Sequence, residues 1–172
     1  MDFYYVSDEY INYLKQIDSK VPNNYQGTRP YVGVVVDISG TKYYAPLTSP
    51  KPKHQKMKND KDFRRLDGGK LGAINFNNMI PVPDSEITLI NIAQEPDEKY
   101  RRLLQNQYAF VQRDKETIER DFPMSGDIPK EVVEDGKTYK RVYNASFIVP
   151  YVFSHPFKFD YSKSPSRRQH IF

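Results

Sequence analysis

The alternation of apolar and polar residues predicts a group of strands in the first half of the chain. Residues 31–38 (YVGVVVDI) form an almost continuous apolar run, which is typical of a buried strand. Ser39-Gly40 is a turn signal and residues 41–47 form a second β-prone run, so the two predict a hairpin. Gly33 indicates a bulge or a close approach of another segment. Similar shorter runs predict four more strands, at residues 2–6, 71–76, 79–82 and 86–92.

Two stretches have the spacing of amphipathic helices. The first begins after Ser7, whose side chain suits a helix N-cap. Its apolar positions recur at helical spacing, at Tyr10, Ile11, Leu14 and Ile17. The second helix is predicted over residues 97–120 as one continuous element. Its apolar stripe consists of Tyr100, Leu103, Leu104, Tyr108, Val111 and Ile118.

The order of these elements predicts an α+β fold with a twisted, mostly antiparallel sheet flanked by helices. Strands cluster in the middle and do not alternate with helices as βαβ units would. Residues 131–143 fit either a hairpin or a helix broken at an Asp-Gly pair. A length of 172 residues suits one domain, which we expect to span residues 1–172. Residues 163–172 are expected to be a flexible basic tail.

Composition narrows the class of protein. Aromatic residues make up 14% of the chain, so a core can be built from few but large side chains. There is no cysteine, which excludes a disulfide scaffold, a thiol nucleophile and a Cys-ligated zinc site. The first residues lack the pattern of a secretory signal, and no apolar run approaches the ~20 residues of a membrane helix. We therefore expect a soluble intracellular protein.

The positive charge is concentrated in one segment. Residues 51–65 contain seven Lys or Arg against two Asp, whereas the rest of the chain has nineteen against twenty. A concentrated positive patch attracts polyanions, of which nucleic acid is the commonest. A solvated loop without a partner would have the same composition. The sequence alone leaves these two alternatives open.

The sequence gives little support for a metal or nucleotide cofactor. The histidines at positions 54, 155 and 170 are far apart and have no partner at helical spacing. Asp60 and Asp62 lie within the basic segment, where local charge balance explains them. Gly68-Gly69 lacks the Lys and Ser/Thr that follow in a phosphate-binding loop. We expect neither a cofactor nor a metal ion.

Thr48-Ser49-Pro50-Lys51 is the best candidate for chemistry. It places two hydroxyls and an ammonium group at the end of a predicted strand, where the chain leaves the sheet. Such groups can bind phosphate oxygens and stabilise the extra negative charge of a pentacovalent phosphorane. By itself the string is weak evidence, because Ser-Pro also opens ordinary turns.

A wider comparison of residues identifies a resemblance to a known family. The run KYYAPLTSPK at residues 42–51 closely resembles the signature of the ToxN/AbiQ family. These proteins are endoribonuclease toxins of type III toxin–antitoxin systems, active in phage abortive infection. The similarity extends in order and spacing over about residues 1–120. It includes residues 3–4, 10–15, 20–26 and 72–81.

The resemblance implies a partial barrel similar to the MazF/Kid-like toxin fold. It implies sequence-specific, metal-independent cleavage of cellular or phage RNA by transesterification through the 2′-hydroxyl, leaving 2′,3′-cyclic phosphate and 5′-hydroxyl ends. The implied partner is an RNA antitoxin, a short tandem-repeat pseudoknot that assembles with the toxin into a closed ring. The implied location is the bacterial cytoplasm, with no membrane or DNA partner.

The resemblance also implies six catalytic residues: Tyr10, Tyr25, Arg29, Thr48, Ser49 and Lys51. We expect Arg29 and Lys51 to stabilise phosphorane charge, and the two hydroxyls to grip phosphate oxygens. The tyrosines would stack on, or hydrogen-bond to, a flanking base or sugar. Position 29 is lysine in some family members, and an arginine there stays protonated and is a poor general base.

The basic segment is expected to contact the antitoxin RNA. The predicted RNA-binding residues are Lys53, His54, Lys56 and Lys58. Two other interpretations use the same features without catalysis. A non-catalytic RNA-binding module needs only the basic segment and the tyrosines, and a DNA-binding regulator is less favoured because no helix-turn-helix spacing is present.

Overall fold

A computed structural model describes residues 1–17, 19, 21–38, 41–59, 63–121, 130–134 and 137–141. The predicted basic tail at residues 163–172 lies outside these residues, as do Asp60, Asp62 and the histidines at positions 155 and 170. Within the described residues, none of the helices combines the length and apolar character needed to cross a membrane.

Seven strands form one antiparallel sheet. They are β1 (Asp2–Val6), β2 (Tyr31–Ile38), β3 (Thr41–Thr48), β4 (Phe63–Arg65), β5 (Ala73–Asn75), β6 (Ile80–Pro81) and β7 (Ile87–Leu89). The order is β4-β5-β3-β2-β1-β7, and β6 also pairs with β3. Strand β3 is therefore central, with β2 along one side and β6 and then β5 along the other. The predicted hairpin of β2 and β3 is confirmed.

In the described part of the chain, four helices accompany the sheet. They are α1 (Asp8–Ile17), α2 (Pro52–Lys56), α3 (Glu98–Arg113) and α4 (Lys115–Asp121). The Ser7 hydroxyl accepts a hydrogen bond from the Tyr10 backbone N–H at 3.2 Å, as expected for the start of α1. A second, two-stranded sheet pairs β8 (Lys130–Glu134) with β9 (Lys137–Arg141), so of the two alternatives for this region the hairpin is confirmed.

Both faces of the central strand β3 are buried over residues 43–47. Successive side chains of β3 point to opposite faces, because strand side chains alternate. Tyr43, Ala45 and Leu47 pack in one cluster with apolar residues of α3 and α4. Tyr44 packs in the other cluster with α1. The strand that precedes Thr48 is thus held from both sides.

The structure differs in detail from several of the predicted elements. The helix expected over residues 97–120 is interrupted at Asp114, whose carboxylate is paired with Arg64 of β4. Strand β4 was not predicted, because three residues within a basic segment show no periodicity. The strand expected over residues 86–92 is only Ile87–Leu89 and lies between two 3-10 turns.

Gly33 behaves as its position in the sequence indicated. The pairing of β2 with β3 shifts register between Val32 and Val36, which marks a bulge or irregularity. A Cβ atom at Gly33 would lie 2.2 Å from the ring of Tyr44. The ring therefore packs directly on the β2 backbone.

Candidate active site

A cavity of about 350 Å³ lies beside the end of β3, and we call it the cleft. Its walls come from the loop before β2, the end of β3 and the first turn of α3. The lining residues are Tyr25, Thr28, Arg29, Pro30, Leu47, Thr48, Ser49, Lys51 and Tyr100. The cleft thus contains five of the six residues expected to be catalytic. Segments far apart in sequence converge here because the Leu47 N–H donates to the Pro30 carbonyl at 2.9 Å.

The segment of residues 24–29, which we call the Tyr25 loop, has an unusual backbone. Tyr25, Gln26 and Gly27 have φ angles of 52°, 60° and 76°, all in the left-handed region. Non-glycine residues rarely occupy this region, and such conformations persist only where the surroundings hold them. The Tyr25 side chain is 62% exposed. The loop therefore presents a large aromatic ring to solvent from a constrained backbone.

Two polar side chains hold the Tyr25 loop. The Asp8 carboxylate accepts hydrogen bonds from the Gly27 backbone N–H at 3.0 Å and from the Asn24 amide at 2.9 Å. The buried Asn24 amide also donates to the Val6 carbonyl at 2.8 Å. The loop is thereby tied to the end of β1 and the start of α1.

Arg29 is positioned by its own loop. Its Nε donates to the Asn23 carbonyl at 2.6 Å, and its guanidinium carbon lies 4.8 Å from the centroid of the Tyr25 ring. This is a cation–π distance. Among the described residues no carboxylate is paired with this guanidinium, so its positive charge is available to an anion in the cleft.

The two hydroxyls at the end of β3 differ in their surroundings. The Thr48 hydroxyl donates to the Ala73 carbonyl of β5 at 3.1 Å. Ser49 and Lys51 are exposed, and within the described part of the chain neither side chain is paired with another residue. Ser49 and Lys51 can therefore donate to a ligand, whereas Thr48 holds the strand end against β5.

Two residues that the sequence analysis did not single out support this strand end. Gly72 has φ of 92°, and a Cβ atom there would lie 1.9 Å from the Thr48 carbonyl oxygen. Only glycine allows so close an approach. Gln107 of α3 is 2% exposed, and its amide donates to the Leu71 carbonyl at 2.7 Å and lies 3.5 Å from the Thr48 carbonyl. Helix α3 is thus anchored at the cleft.

Tyr100 is a cleft residue that the sequence analysis assigned only to the apolar stripe of a helix. It lies in the first turn of α3, where Asp97 caps the helix by accepting from the Tyr100 backbone N–H at 2.8 Å. Burial raises the pKa of Tyr100 to about 12, with smaller contributions from Tyr5 and Glu95. The hydroxyl stays protonated at neutral pH. The sequence contained one indication of this role: position 100 of the apolar stripe is a tyrosine, although an aliphatic side chain would pack there as well.

Tyr10 was expected to stack on, or hydrogen-bond to, a flanking base or sugar, and the structure places it outside the cleft. It is 1% exposed in the core beside Tyr44, and its hydroxyl donates to the Pro81 carbonyl at 2.8 Å. Burial raises its pKa above the ordinary tyrosine value. Tyr10 therefore does not line the cleft, because its position on the apolar stripe of α1 turns it into the core.

His54 was expected to contact RNA, and the structure buries its side chain. It is 2% exposed, and its ring lies 5.6 Å from that of Phe63. Burial, together with Lys53 and Lys51, lowers the pKa of His54. By contrast, Lys53, Lys56 and Lys58 are exposed on and after α2, directly beyond the cleft residue Lys51. Their expected contact with RNA stays a prediction.

Metal-ligating residues are not grouped in the described part of the chain. No set of three or more His, Cys, Asp or Glu is arranged there as an ion site. The described cleft residues supply hydroxyl, ammonium and guanidinium groups instead. These are donors suited to phosphate.

Sequence comparison places the chain in a class of bacterial toxins. A sequence model of the family described as toxin ToxN, type III toxin–antitoxin system, matches residues 2–144. The endoribonuclease ToxN of Pectobacterium atrosepticum is 38% identical over 128 residues, covering 69% of this chain and 75% of that protein. The chain therefore belongs to the ToxN toxin family, and the resemblance seen in the sequence is confirmed.

Solved structures agree with this assignment. The structure of AbiQ, a lactococcal anti-phage endoribonuclease of a type III toxin–antitoxin system, superposes with a TM-score of 0.60 at 32% identity, covering 71% of this chain and 78% of that one. A toxin studied for its selective inhibition by a non-coding RNA pseudoknot gives 0.60 at 36% identity, covering 71% and 75%. The expected α+β fold with a curled antiparallel sheet is confirmed. So is the expectation of an RNA-cleaving enzyme.

Proposed function

We propose that the cleft binds one ribonucleotide linkage and cleaves it through the ribose 2′-hydroxyl. The 2′-oxygen attacks the adjacent phosphorus, the bond to the 5′-oxygen breaks, and a 2′,3′-cyclic phosphate and a 5′-hydroxyl result. RNA supplies its own nucleophile in this reaction. The protein has only to orient the linkage and stabilise the charge of the phosphorane.

Three side chains of the cleft fill these roles. Lys51 and Arg29 place positive charge beside the phosphorane, and the Ser49 hydroxyl donates to a non-bridging oxygen. Arg29 stays protonated, so it stabilises charge and does not accept the 2′-hydroxyl proton. Water, which reaches the exposed Ser49 and Lys51, can accept that proton and supply one to the leaving oxygen.

The remaining cleft residues orient the substrate. The exposed Tyr25 ring can stack on a base or ribose next to the cut, as aromatic side chains do in single-stranded RNA recognition. Tyr100 offers a protonated hydroxyl from the first turn of α3. Thr48 acts indirectly, by holding the end of β3 in place, because its hydroxyl donates to the Ala73 carbonyl of β5.

The observation that carries this proposal is the convergence of Arg29, Ser49 and Lys51 on one cavity. The side chains of the cleft favour binding of a phosphate group. Family membership indicates that the phosphate belongs to RNA, because the relatives are endoribonucleases. We further propose that a pseudoknot RNA inhibits the chain, as it inhibits the structural relative. Its setting would be defence against phage in the bacterial cytoplasm. A ring-like assembly with that RNA stays a prediction.

The test is cleavage of defined RNA by purified protein in EDTA, with analysis of the new ends. We expect cutting to persist and to leave 2′,3′-cyclic phosphate and 5′-hydroxyl ends. A transcript of tandem repeats from upstream of the reading frame should block it. Loss of cutting on chelation would refute the metal-independent reaction, and protein that retains RNA without cutting it would favour the binding-module alternative.

A further inference from the structure

A second cavity of about 350 Å³ lies on the α1 side of the Tyr25 loop, and we call it the side groove. It is lined by residues of α1, by the Tyr25 loop and by Asn23 directly before that loop, and the proposed reaction uses none of them except Tyr25. The lining residues are Asp8, Ile11, Asn12, Lys15, Asn23, Asn24, Tyr25 and Gln26. Tyr25 lines the side groove and the cleft alike. The two cavities are therefore neighbours separated by the Tyr25 loop.

The chemistry of the side groove is that of a nucleobase site. Four of its side chains are carboxamides, and two of them, Asn12 and Gln26, are exposed, so each can offer a donor and an acceptor at fixed spacing. Asn and Gln recognise base edges by pairing both groups at once. Ile11 supplies an apolar contact and Lys15 a positive charge for the adjoining phosphate.

The wall between the two cavities is fixed and has an unusual backbone. The Asn24 amide donates to the Val6 carbonyl at 2.8 Å and to the Asp8 carboxylate at 2.9 Å, which ties this wall to the start of α1. The left-handed backbone of residues 25–27 is a cost that a structure maintains mainly at functional sites. It sets the exposed Tyr25 ring between the two cavities.

We infer that the side groove binds the base of a nucleotide flanking the cleaved linkage and gives the enzyme part of its sequence preference. This inference rests on the proposed function. A single strand whose scissile phosphate lies in the cleft would pass over the Tyr25 ring, and its next base would enter the side groove. Asn12 and Gln26 would read that base, and Lys15, held by Asn23 at 2.6 Å, would face the phosphate.

The test uses two exchanges on α1 that do not lower helix propensity, Asn12→Ala and Lys15→Gln, made together. The matched control is Gln16→Ala, an exposed residue of the same helix that does not line the groove. Wild type, double variant and control are given randomised single-stranded RNA, and the cut sites are sequenced. The cleavage rate of a dinucleotide, which is too short to reach the side groove, reports the chemical step alone.

We expect the double variant to lose base preference at a flanking position by about tenfold, within the range of one good base contact. The double variant should cleave the dinucleotide at the wild-type rate. The Gln16→Ala variant should match wild type in both base preference and cleavage rate. An unchanged preference in the double variant would overturn the inference. A parallel loss on the dinucleotide would also overturn it, because the exchanges would then act on the cleft.

A binding measurement separates failure of this inference from failure of the proposed function. Homopolymers of 2′-O-methyl A, C, G and U cannot be cut through the 2′-oxygen. We expect the double variant to bind the homopolymer that wild type prefers about tenfold more weakly, even in a protein that cuts nothing. Equal binding of all four by wild type and double variant would rule out a base site in the groove.

Discussion

The two hydroxyls at the end of β3 should respond oppositely to removal. Ser49 is exposed and bonds to no described residue, so Ser49→Ala removes nothing that holds the fold. Surface exchanges of this kind stay within about 0.5 kcal/mol. Thr48→Val keeps the shape and strand propensity but removes the 3.1 Å bond to the Ala73 carbonyl. A neutral hydrogen bond contributes about 1 kcal/mol to stability.

These free energies translate into measurable shifts. For a chain of this size, about 1 kcal/mol lowers Tm by about 2–4 °C, so Thr48→Val should melt visibly earlier than Ser49→Ala. In the cleavage assay the order should reverse. Removing one donor to a developing negative charge typically lowers kcat by about 100- to 1000-fold, which is the loss expected for Ser49→Ala. Thr48→Val should lose less than about tenfold, or about 1.4 kcal/mol.

The assay is single-turnover cleavage of a defined RNA together with thermal unfolding of the same preparations. A Ser49→Ala protein that folds normally and cuts RNA at the wild-type rate would refute the role of Ser49. Equal losses of activity in both variants, with equal Tm, would refute the separation of roles between the two hydroxyls.

Three further predictions concern residues around the cleft. Tyr10→Phe should lower the free energy of unfolding, measured in urea, by about 1–3 kcal/mol, because the buried Pro81 carbonyl loses its donor. RNA cleavage by the folded variant should be unchanged. A variant of full stability that no longer cleaves RNA would show that Tyr10 acts in the active site. Burial lowers the pKa of His54 in the folded protein, so at acidic pH the unfolded chain binds a proton at this histidine more readily than the folded protein does. The free energy of unfolding of wild type should therefore fall relative to that of His54→Leu as pH drops below about 6.5. A stability difference independent of pH would contradict this. Replacing the three lysines of residues 53–58 by Ala should lower the salt slope of RNA binding by about 0.7 per lost phosphate contact, and an unchanged slope would remove them from the interface.

Local patterns were sufficient for the elements with strong periodicity. Helix α1 follows from the spacing of its apolar residues and from the cap that precedes it. The hairpin of β2 and β3 follows from two β-prone runs and the turn signal between them. In both cases the signals lie within about ten residues of the element that they predict. Strand β4, three residues within a basic segment, has no such signal. It forms because β5 offers it a partner, which is a property of the assembled sheet.

The cleft was predictable only in part, for a similar reason. The Thr48–Lys51 string and the loop with Tyr25 were found from residue types and from resemblance. Tyr100 and Gln107 come from a helix whose sequence reads as ordinary amphipathic packing, and only tertiary structure brings them to the end of β3. Tyr10 and His54 differ from expectation in the opposite way, because the structure buries both side chains in the interior.

In the proposed reaction Arg29, Ser49 and Lys51 surround one phosphodiester linkage. The most direct measurement is a crystal structure of the protein with an RNA oligonucleotide carrying a single 2′-O-methyl group at the cut position. We predict one phosphate in the cleft, with Ser49 Oγ, Lys51 Nζ and the Arg29 guanidinium each within about 3 Å of its oxygens. A phosphate held elsewhere, or one contacted by none of these groups, would contradict the account.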